Sequence, residues 1–235
     1  MIRNIFANHG ITITEDQEQK LNQYYDLLID WNNKINLTSI VEYEEVIWKH
    51  FLDSAFFVLC DKVNLKETKS VLDLGTGAGF PGMVLAILCP DYKFVLADSL
   101  NKRIEFLKVV IDTLKLHNVS VIHGRAEELG QDEKFRNQFD YVVSRAVAEL
   151  PVLLEYCIPF VKKGGYFISY KSRKLSEEIE NAKNALNVLY TKYDQKYKYE
   201  LEYDHSERYL VFFECMDETD PKYPRKPKKI KTNPL

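Results

Sequence analysis

Asp73 and the glycines that follow it carry the densest chemistry in this chain. The stretch VLDLGTGAGFPG, residues 71–82, reads in two ways. Gly77, Gly79 and Gly82 have the G-x-G-x-x-G spacing that lets backbone approach a dinucleotide pyrophosphate. Asp73 with Gly75, Gly77 and Gly79 is instead an acidic strand end opening into a glycine turn. Glycine allows the tight turn in either case, and Pro81 suits the first helical position, where its missing N–H costs nothing. Asp73 separates the readings. A carboxylate two residues before the first glycine repels the doubly negative pyrophosphate that a dinucleotide brings to a helix N-terminus. The ammonium and sulfonium of S-adenosylmethionine are positive and favoured by that carboxylate, while the loop N–H groups remain to receive the ligand's own carboxylate. The charge argument selects S-adenosylmethionine.

Asp98 closes the next apolar run, KFVLAD, and is placed to accept hydrogen bonds from ribose hydroxyls of either ligand. The plainer role for Asp98 is a helix cap before Asn101.

These residues need a scaffold that gathers strand ends. From residue 69, short apolar runs alternate with helical stretches: SVLDL, a helix over 81–88, KFVLAD, a helix over 101–115, VSVIHG, FDYVVS, a helix over 149–162 and GYFISYK. That alternation predicts an open α/β, doubly wound, mostly parallel sheet of Rossmann type with ligands at the C-terminal strand ends. A charged helix over 174–190 follows, then YKYELEY and RYLVFFEC, which read as an antiparallel hairpin at the sheet edge. Ahead of the sheet, Thr14 and Gln17 form a capping-box pair. Leu21, Tyr24, Tyr25, Leu28 and Trp31 then recur at helical spacing, predicting a helix over 15–31, with shorter helices over 42–60. The expected organisation is a helical extension (1–68), a sheet domain (69–216) and a basic tail (217–235) that is extended rather than packed.

Composition narrows the class. The chain has 235 residues, 46% hydrophobic and 29% charged, with a net charge of −3, which is ordinary for a folded globular protein. No apolar run reaches the roughly 18 residues of a membrane span, and the N-terminus lacks the apolar core of a signal peptide. The expectation is a cytoplasmic monomer. Cys60, Cys89, Cys157 and Cys215 are far apart, and the histidines show no ligand spacing, so neither a metal site nor a disulfide framework is expected. Basic residues cluster at Lys222, Arg225, Lys226, Lys228, Lys229 and Lys231, and again at Lys162, Lys163, Lys171, Arg173 and Lys174. Both clusters suit a polyanion.

Several further stretches, WNNKINLTSI (31–40), HFLDS (50–54), DLGTGAGFPG (73–82), DSLNKRIEFL (98–107), GRAEE (124–128), FDYVVSRAVAEL (139–150), GGYFISYK (164–171) and YPRKP (223–227), run in order over nearly the whole chain. Together they resemble the bacterial 16S ribosomal RNA guanine-N7 methyltransferases, also called the glucose-inhibited division protein B family. One departure is the tail, where the family usually has a glycine soon after YPR and this chain reads YPRKPKKIKTNPL. The resemblance implies a class I S-adenosylmethionine-dependent methyltransferase acting on N7 of a guanine in 16S rRNA of the small subunit. It places the cofactor against Gly75, Phe80, Ala126, Glu127 and Arg145, beside Asp73, Gly77, Gly79 and Asp98 from the loop reading.

Phe80 and Arg145 are the candidates for the reacting neighbourhood, Arg145 being the one catalytic candidate. The plainer roles are a surface ion pair for Arg145, a solvated charge for Glu127 and a hydrophobic plug for Phe80. Asn36, Thr38, His50 and Asp53 are candidates for the acceptor side, or else caps and packing. The alternatives are a class I methyltransferase with a non-rRNA acceptor and a binding protein that uses the nucleotide fold without turnover. A dehydrogenase is opposed by Asp73.

Overall fold

The computed structural model describes residues 1–172 and 175–235. Helix α1 (Ile2–Asn8) precedes α2 (Glu15–Ile35). Thr14 Oγ1 accepts from the Gln17 N–H while the Gln17 side chain accepts from the Thr14 N–H, so two otherwise orphaned donors at the start of α2 are satisfied. The helix continues past the expected residue 31 and stops where Asn36 turns left-handed at φ 47°. Then come α3 (Tyr43–Val46), a π-helical turn (Ile47–Leu52), α4 (Asp53–Ala55) and a 3-10 turn (Phe56–Leu59).

The sheet contains β1 (Ser70–Leu74), β2 (Lys93–Asp98), β3 (Val119–His123), β4 (Phe139–Arg145), β5 (Val161–Lys171), β6 (Thr191–Leu201) and β7 (Ser206–Cys215), in the order β3-β2-β1-β4-β5-β7-β6. Strands β1 to β5 are parallel, and β7 inserts antiparallel between β5 and β6. The hairpin expected at the edge is there, with its second strand inside. Strand order reverses beside β1, which is where ligands sit in such sheets.

Between the strands lie α5 (Gly82–Leu88), α6 (Asn101–Leu114), α7 (Ala126–Leu129), α8 (Leu150–Cys157), α9 (Leu175–Asn181) and α10 (Lys183–Val188). The helix expected over 149–162 ends at Cys157, because Pro159 has no N–H to continue it, and Val161 already begins β5. The helix expected over 174–190 is two helices, and its first residue, Lys174, lies outside the described residues. One apolar core joins α2, α5 and α6 to one face of the sheet, with Tyr24, Phe51, Phe94 and Phe106 buried. A second lies on the other face around Leu154, Phe160, Phe167 and Phe213.

Gly82 shows how closely α5 approaches the sheet. A Cβ there would lie 2.3 Å from Leu96 Cδ2 and 2.7 Å from Asp73 Oδ2. Only hydrogen fits, so Gly82 serves packing, the role of the third glycine in nucleotide folds.

The C-terminal segment corrects an expectation. Residues 217–235 are not an unpacked arm: they form α11 (Pro227–Thr232), with Ile230 and Tyr223 buried in the second core. Arg136 explains why this segment stays down. Its guanidinium donates to the carbonyls of Gly130, Thr219, Asp220 and Tyr223, holding the segment before α11 against the sheet domain. Arg225 meanwhile pairs with Glu155 of α8. Hydrophobic periodicity is too short here to signal a helix, and four prolines argue against one.

Candidate functional site

A cleft of about 1100 Å3 opens at the C-terminal ends of β1, β2 and β4. Its floor is the loop after β1, where Gly75, Gly77 and Gly79 have φ of 73°, 61° and 101°. At Gly79 a side chain would be doubly barred, by that φ and by Tyr24 Oη at 2.5 Å from the would-be Cβ. The Tyr24 hydroxyl, reaching up from α2, donates to the Ala78 carbonyl and ties the helical extension to the loop.

The two acidic residues organise this loop from opposite sides. Asp73 is fully buried. Its Oδ2 accepts from Thr76 Oγ1 at 2.6 Å and from the Gly82 N–H at 2.8 Å, and its Oδ1 has no partner. Asp98 accepts from the Gly77 N–H at 2.9 Å, the Leu100 N–H at 2.9 Å and the Arg103 guanidinium at 3.2 Å. Asp98 does not cap α6, whose N-cap is Leu100 with no side-chain cap; it holds the Leu100 N–H in the turn before the helix, and its carboxylate lines the cleft.

Asp73 and Gly79 lie behind the loop and are not among the residues that line the cleft. One carboxylate oxygen of Asp73, Oδ2, holds the turn to α5, an internal demand that its sequence position does not reveal. Most of the loop N–H groups are engaged within the protein. The N–H groups of Gly75 and Thr76 go to the Ala97 carbonyl, that of Gly77 to Asp98, and those of Gly79 and Phe80 to the Thr76 carbonyl. The Ala78 N–H is not among these, and Ala78 lines the cleft together with the cations Arg103 and Arg145.

Burial raises the Asp73 carboxyl from 3.8 to about 6, against the lowering effect of Thr76 and Gly82. A carboxyl raised in the folded state favours folding below its unfolded value, and that contribution is lost as pH rises through the folded one. Unfolding free energy of the wild type relative to Asp73→Asn should therefore fall between pH 4 and 6, by roughly 3 kcal/mol. Urea titrations of both proteins across that range check it; a constant difference would show that Asp73 titrates normally.

On the far side, β4 delivers Arg145 and the helical extension delivers its partners. Arg145 Nη1 donates to Asp53 Oδ2 at 2.7 Å and to the Lys49 carbonyl at 3.2 Å, and Nη2 lies 3.3 Å from His50 Nδ1. The ion pair is mostly buried rather than superficial, with side chains 15% and 7% exposed. Arg145 also sits over the Phe80 ring at 5.2 Å, and His50 stacks on that ring at 4.3 Å. Phe80 is buried beneath the loop and still lines the cleft. Burial first, then the Arg145 charge, push the His50 imidazole down to about 3, so it is neutral. Ala126 and Glu127 line the cleft after β3, and the Glu127 side chain is only 10% exposed, not a solvated charge.

Asn36 caps α2 away from the cleft, whereas Thr38, His50 and Asp53 line it. Two participants carried no signal in the sequence. Tyr199 Oη donates to Asp53 Oδ1 at 2.8 Å, and Arg208 Nε lies 3.8 Å from the same oxygen. Both come from the β6–β7 hairpin, which reads only as an edge element.

The four cysteines are free and buried. Among the described residues no group of three or more His, Cys, Asp or Glu is arranged to hold a metal. No described helix is long and apolar enough to cross a membrane.

This arrangement matches known proteins over most of the chain. The model of the GidB family, rRNA small subunit methyltransferase G, matches residues 17–205. The ribosomal RNA small subunit methyltransferase G of Alkaliphilus metalliredigens is 50% identical over 218 residues, covering 93% of this chain and 90% of the relative. Among solved structures, an S-adenosylmethionine-dependent methyltransferase from Aquifex aeolicus superposes with a TM-score of 0.53 at 19% identity, over 73% of this chain and 93% of that one. Aeropyrum pernix fibrillarin with natively bound S-adenosylmethionine gives 0.51 at 14% identity, over 68% and 73%. At such identities the last two speak for the class I methyltransferase fold, and the first two speak for the family: the chain belongs to the rRNA small subunit methyltransferase G family.

Proposed function

We propose that this protein methylates N7 of one guanine in 16S rRNA of the small ribosomal subunit, with S-adenosylmethionine as the methyl donor. The residues fit that cofactor. The glycine loop leaves open space at Gly77, where a Cβ would meet nothing within 4 Å, and Asp98 offers a buried carboxylate beside it. Gly75, Gly77, Asp98, Ala126 and Glu127 would hold it, with Phe80 and Arg145 between it and the acceptor. When bound, it supplies an electrophilic methyl whose transfer leaves a neutral thioether and moves the positive charge to the guanine ring.

The observation that carries the reading is the acceptor side of the cleft, where His50 is neutral and both of its ring nitrogens are occupied by Arg145 and Thr38. That imidazole is not a free base. N7 carries its lone pair in the ring plane and no proton, so none is needed. Placement does the work, with N7 roughly 3–3.5 Å from the methyl carbon. The Asp53 carboxylate offsets the Arg145 charge, so the developing cation on the base is not met by an unbalanced one.

Labelled methyl transfer to small subunits and to naked 16S rRNA, both from cells lacking the enzyme, tests this, with mapping of the product. N7-methylguanosine at one site is expected. Cofactor binding without transfer to any RNA would favour a binding protein or another acceptor.

Binding of RNA by the C-terminal lysines belongs to the same reading. Lys162, Lys163 and Lys171 pair with Asp140, Asp217 and Glu178, and Arg173 and Lys174 lie outside the described residues. Arg225 is committed to Glu155. Lys228, Lys229 and Lys231 on α11 are exposed, and Lys231 reaches the cleft rim. Changing these three to glutamine should flatten the salt dependence of RNA affinity, by roughly 0.7–0.9 in log–log slope for each phosphate that is no longer neutralised. An unchanged slope in filter-binding titrations would remove α11 from the interface.

A further inference from the structure

Thr38 sits in the loop that leaves α2, and that loop is built. Asn32 Oδ1 accepts the N–H groups of Leu37 at 2.6 Å and of Thr38 at 2.8 Å, while Leu37 is buried. The Thr38 side chain is therefore held at the cleft wall, beside His50 and Phe80.

A threonine hydroxyl is ordinarily ambivalent, able to donate one hydrogen bond and accept two. Here its neighbours remove the ambiguity. The Ile40 N–H donates to Thr38 Oγ1 at 3.1 Å. His50 Nε2 lies 3.0 Å from the same oxygen. His50 Nδ1 faces two groups, the Lys49 carbonyl at 3.2 Å and Arg145 Nη2 at 3.3 Å. The carbonyl already accepts from Arg145 Nη1, and the guanidinium can only donate, so a proton on Nδ1 would be set against a cation; Nδ1 is the acceptor from Nη2. The imidazole is neutral. Its single proton is then on Nε2 and points at Thr38. Both acceptor positions of Oγ1 are filled, and the Thr38 proton is left for the cleft.

Guanine presents two acceptors on its Hoogsteen edge, N7 and O6, whereas adenine presents N7 beside an N6 amino donor. Once N7 is turned toward a methyl donor, the neighbouring position on that edge is where the two purines differ. A fixed donor accepts only the oxygen.

The geometry points to Thr38 as a specificity-determining residue that donates its hydroxyl to guanine O6 and, lacking a free lone pair, turns away the adenine amino group. Arg145 and His50 act on this selection as positioning residues, because they set the proton on Nε2. The inference rests on the guanine-N7 reading above.

A two-by-two comparison tests it. Thr38→Val and the wild type are assayed on 16S rRNA assembled around a synthetic segment carrying either guanine or 2-aminopurine, which lacks O6, at the target position. With guanine, Thr38→Val should lose about ten-fold in kcat/KM, the scale of one neutral hydrogen bond. The wild type should lose a similar factor on 2-aminopurine beyond the intrinsic difference between the bases, and Thr38→Val should lose nothing more. Thr38→Ser should restore most of the activity, and S-adenosylmethionine affinity, read by calorimetry, should be the same in all three proteins. Independent, multiplying losses would overturn the proposal, as would Thr38→Ser being as poor as Thr38→Val. Absence of N7-methylguanosine from wild type on the guanine RNA would instead overturn the functional reading itself.

Discussion

Replacing Arg225 with alanine should cost about 3–5 kcal/mol of folding stability, the range for stranding one charge of a buried ion pair. Glu155 is completely buried in α8. Its Oε1 accepts from the Arg225 N–H and Nε, each at 2.8 Å, and its Oε2 accepts from Nη2 at 2.7 Å. Alanine at 225 leaves that carboxylate in an apolar core with only the backbone donor. The double variant Glu155→Leu with Arg225→Met should be much closer to wild type, since replacing a whole buried pair with apolar groups is often nearly neutral. Urea unfolding of the three proteins decides it. Equal stability of Arg225→Ala and wild type would mean that the C-terminal segment is detached in solution. The same packing means that truncation after Asp220 would remove Tyr223, Arg225 and Ile230, all part of the fold.

Arg145→Lys should lower methyl transfer by at least about 10²-fold while keeping the positive charge. The guanidinium fork reaches Asp53, the Lys49 carbonyl and His50 at once, and stands over Phe80. A lysine offers a point charge on a flexible stem and cannot reproduce that fork. His50 would lose the donor that fixes its tautomer, and displacement of the acceptor by about 1 Å is enough for such a loss. Single-turnover methylation at saturating cofactor measures it. A rate within a few-fold of wild type would reduce Arg145 to a charge.

The ordering of strands and helices is legible in the sequence because a parallel sheet demands apolar strands buried on both faces and amphipathic helices between them. Residues 69–171 carry that alternation without interruption. The glycine loop is legible for a similar reason: few other residue types tolerate φ of 73°, 61° and 101° within five positions. The capping box at Thr14 is equally local. In each case the signal and its cause lie within a few residues of each other.

Tertiary structure decided what the chemistry-bearing side chains do. Asp73 looks like a ligand carboxylate by type and position, yet the donors that claim it are Thr76 and Gly82, brought round by the turn into α5. Arg145 looks exposed at a strand end, and only the folding of the helical extension over that end supplies Asp53 and His50. Tyr199 and Arg208 meet Asp53 from the distant β6–β7 hairpin, a separation at which no spacing rule operates. The C-terminal segment reads as an unpacked tail because its stability comes from Arg136 and Glu155, which lie far back in the chain and contribute nothing to its own periodicity. The sequence alone determined the scaffold and the edge on which ligands are met, since those follow from local sterics and burial pattern. Which donors and charges remain free at that edge was decided only when distant segments converged there, because hydrogen bonds are allotted by proximity in space.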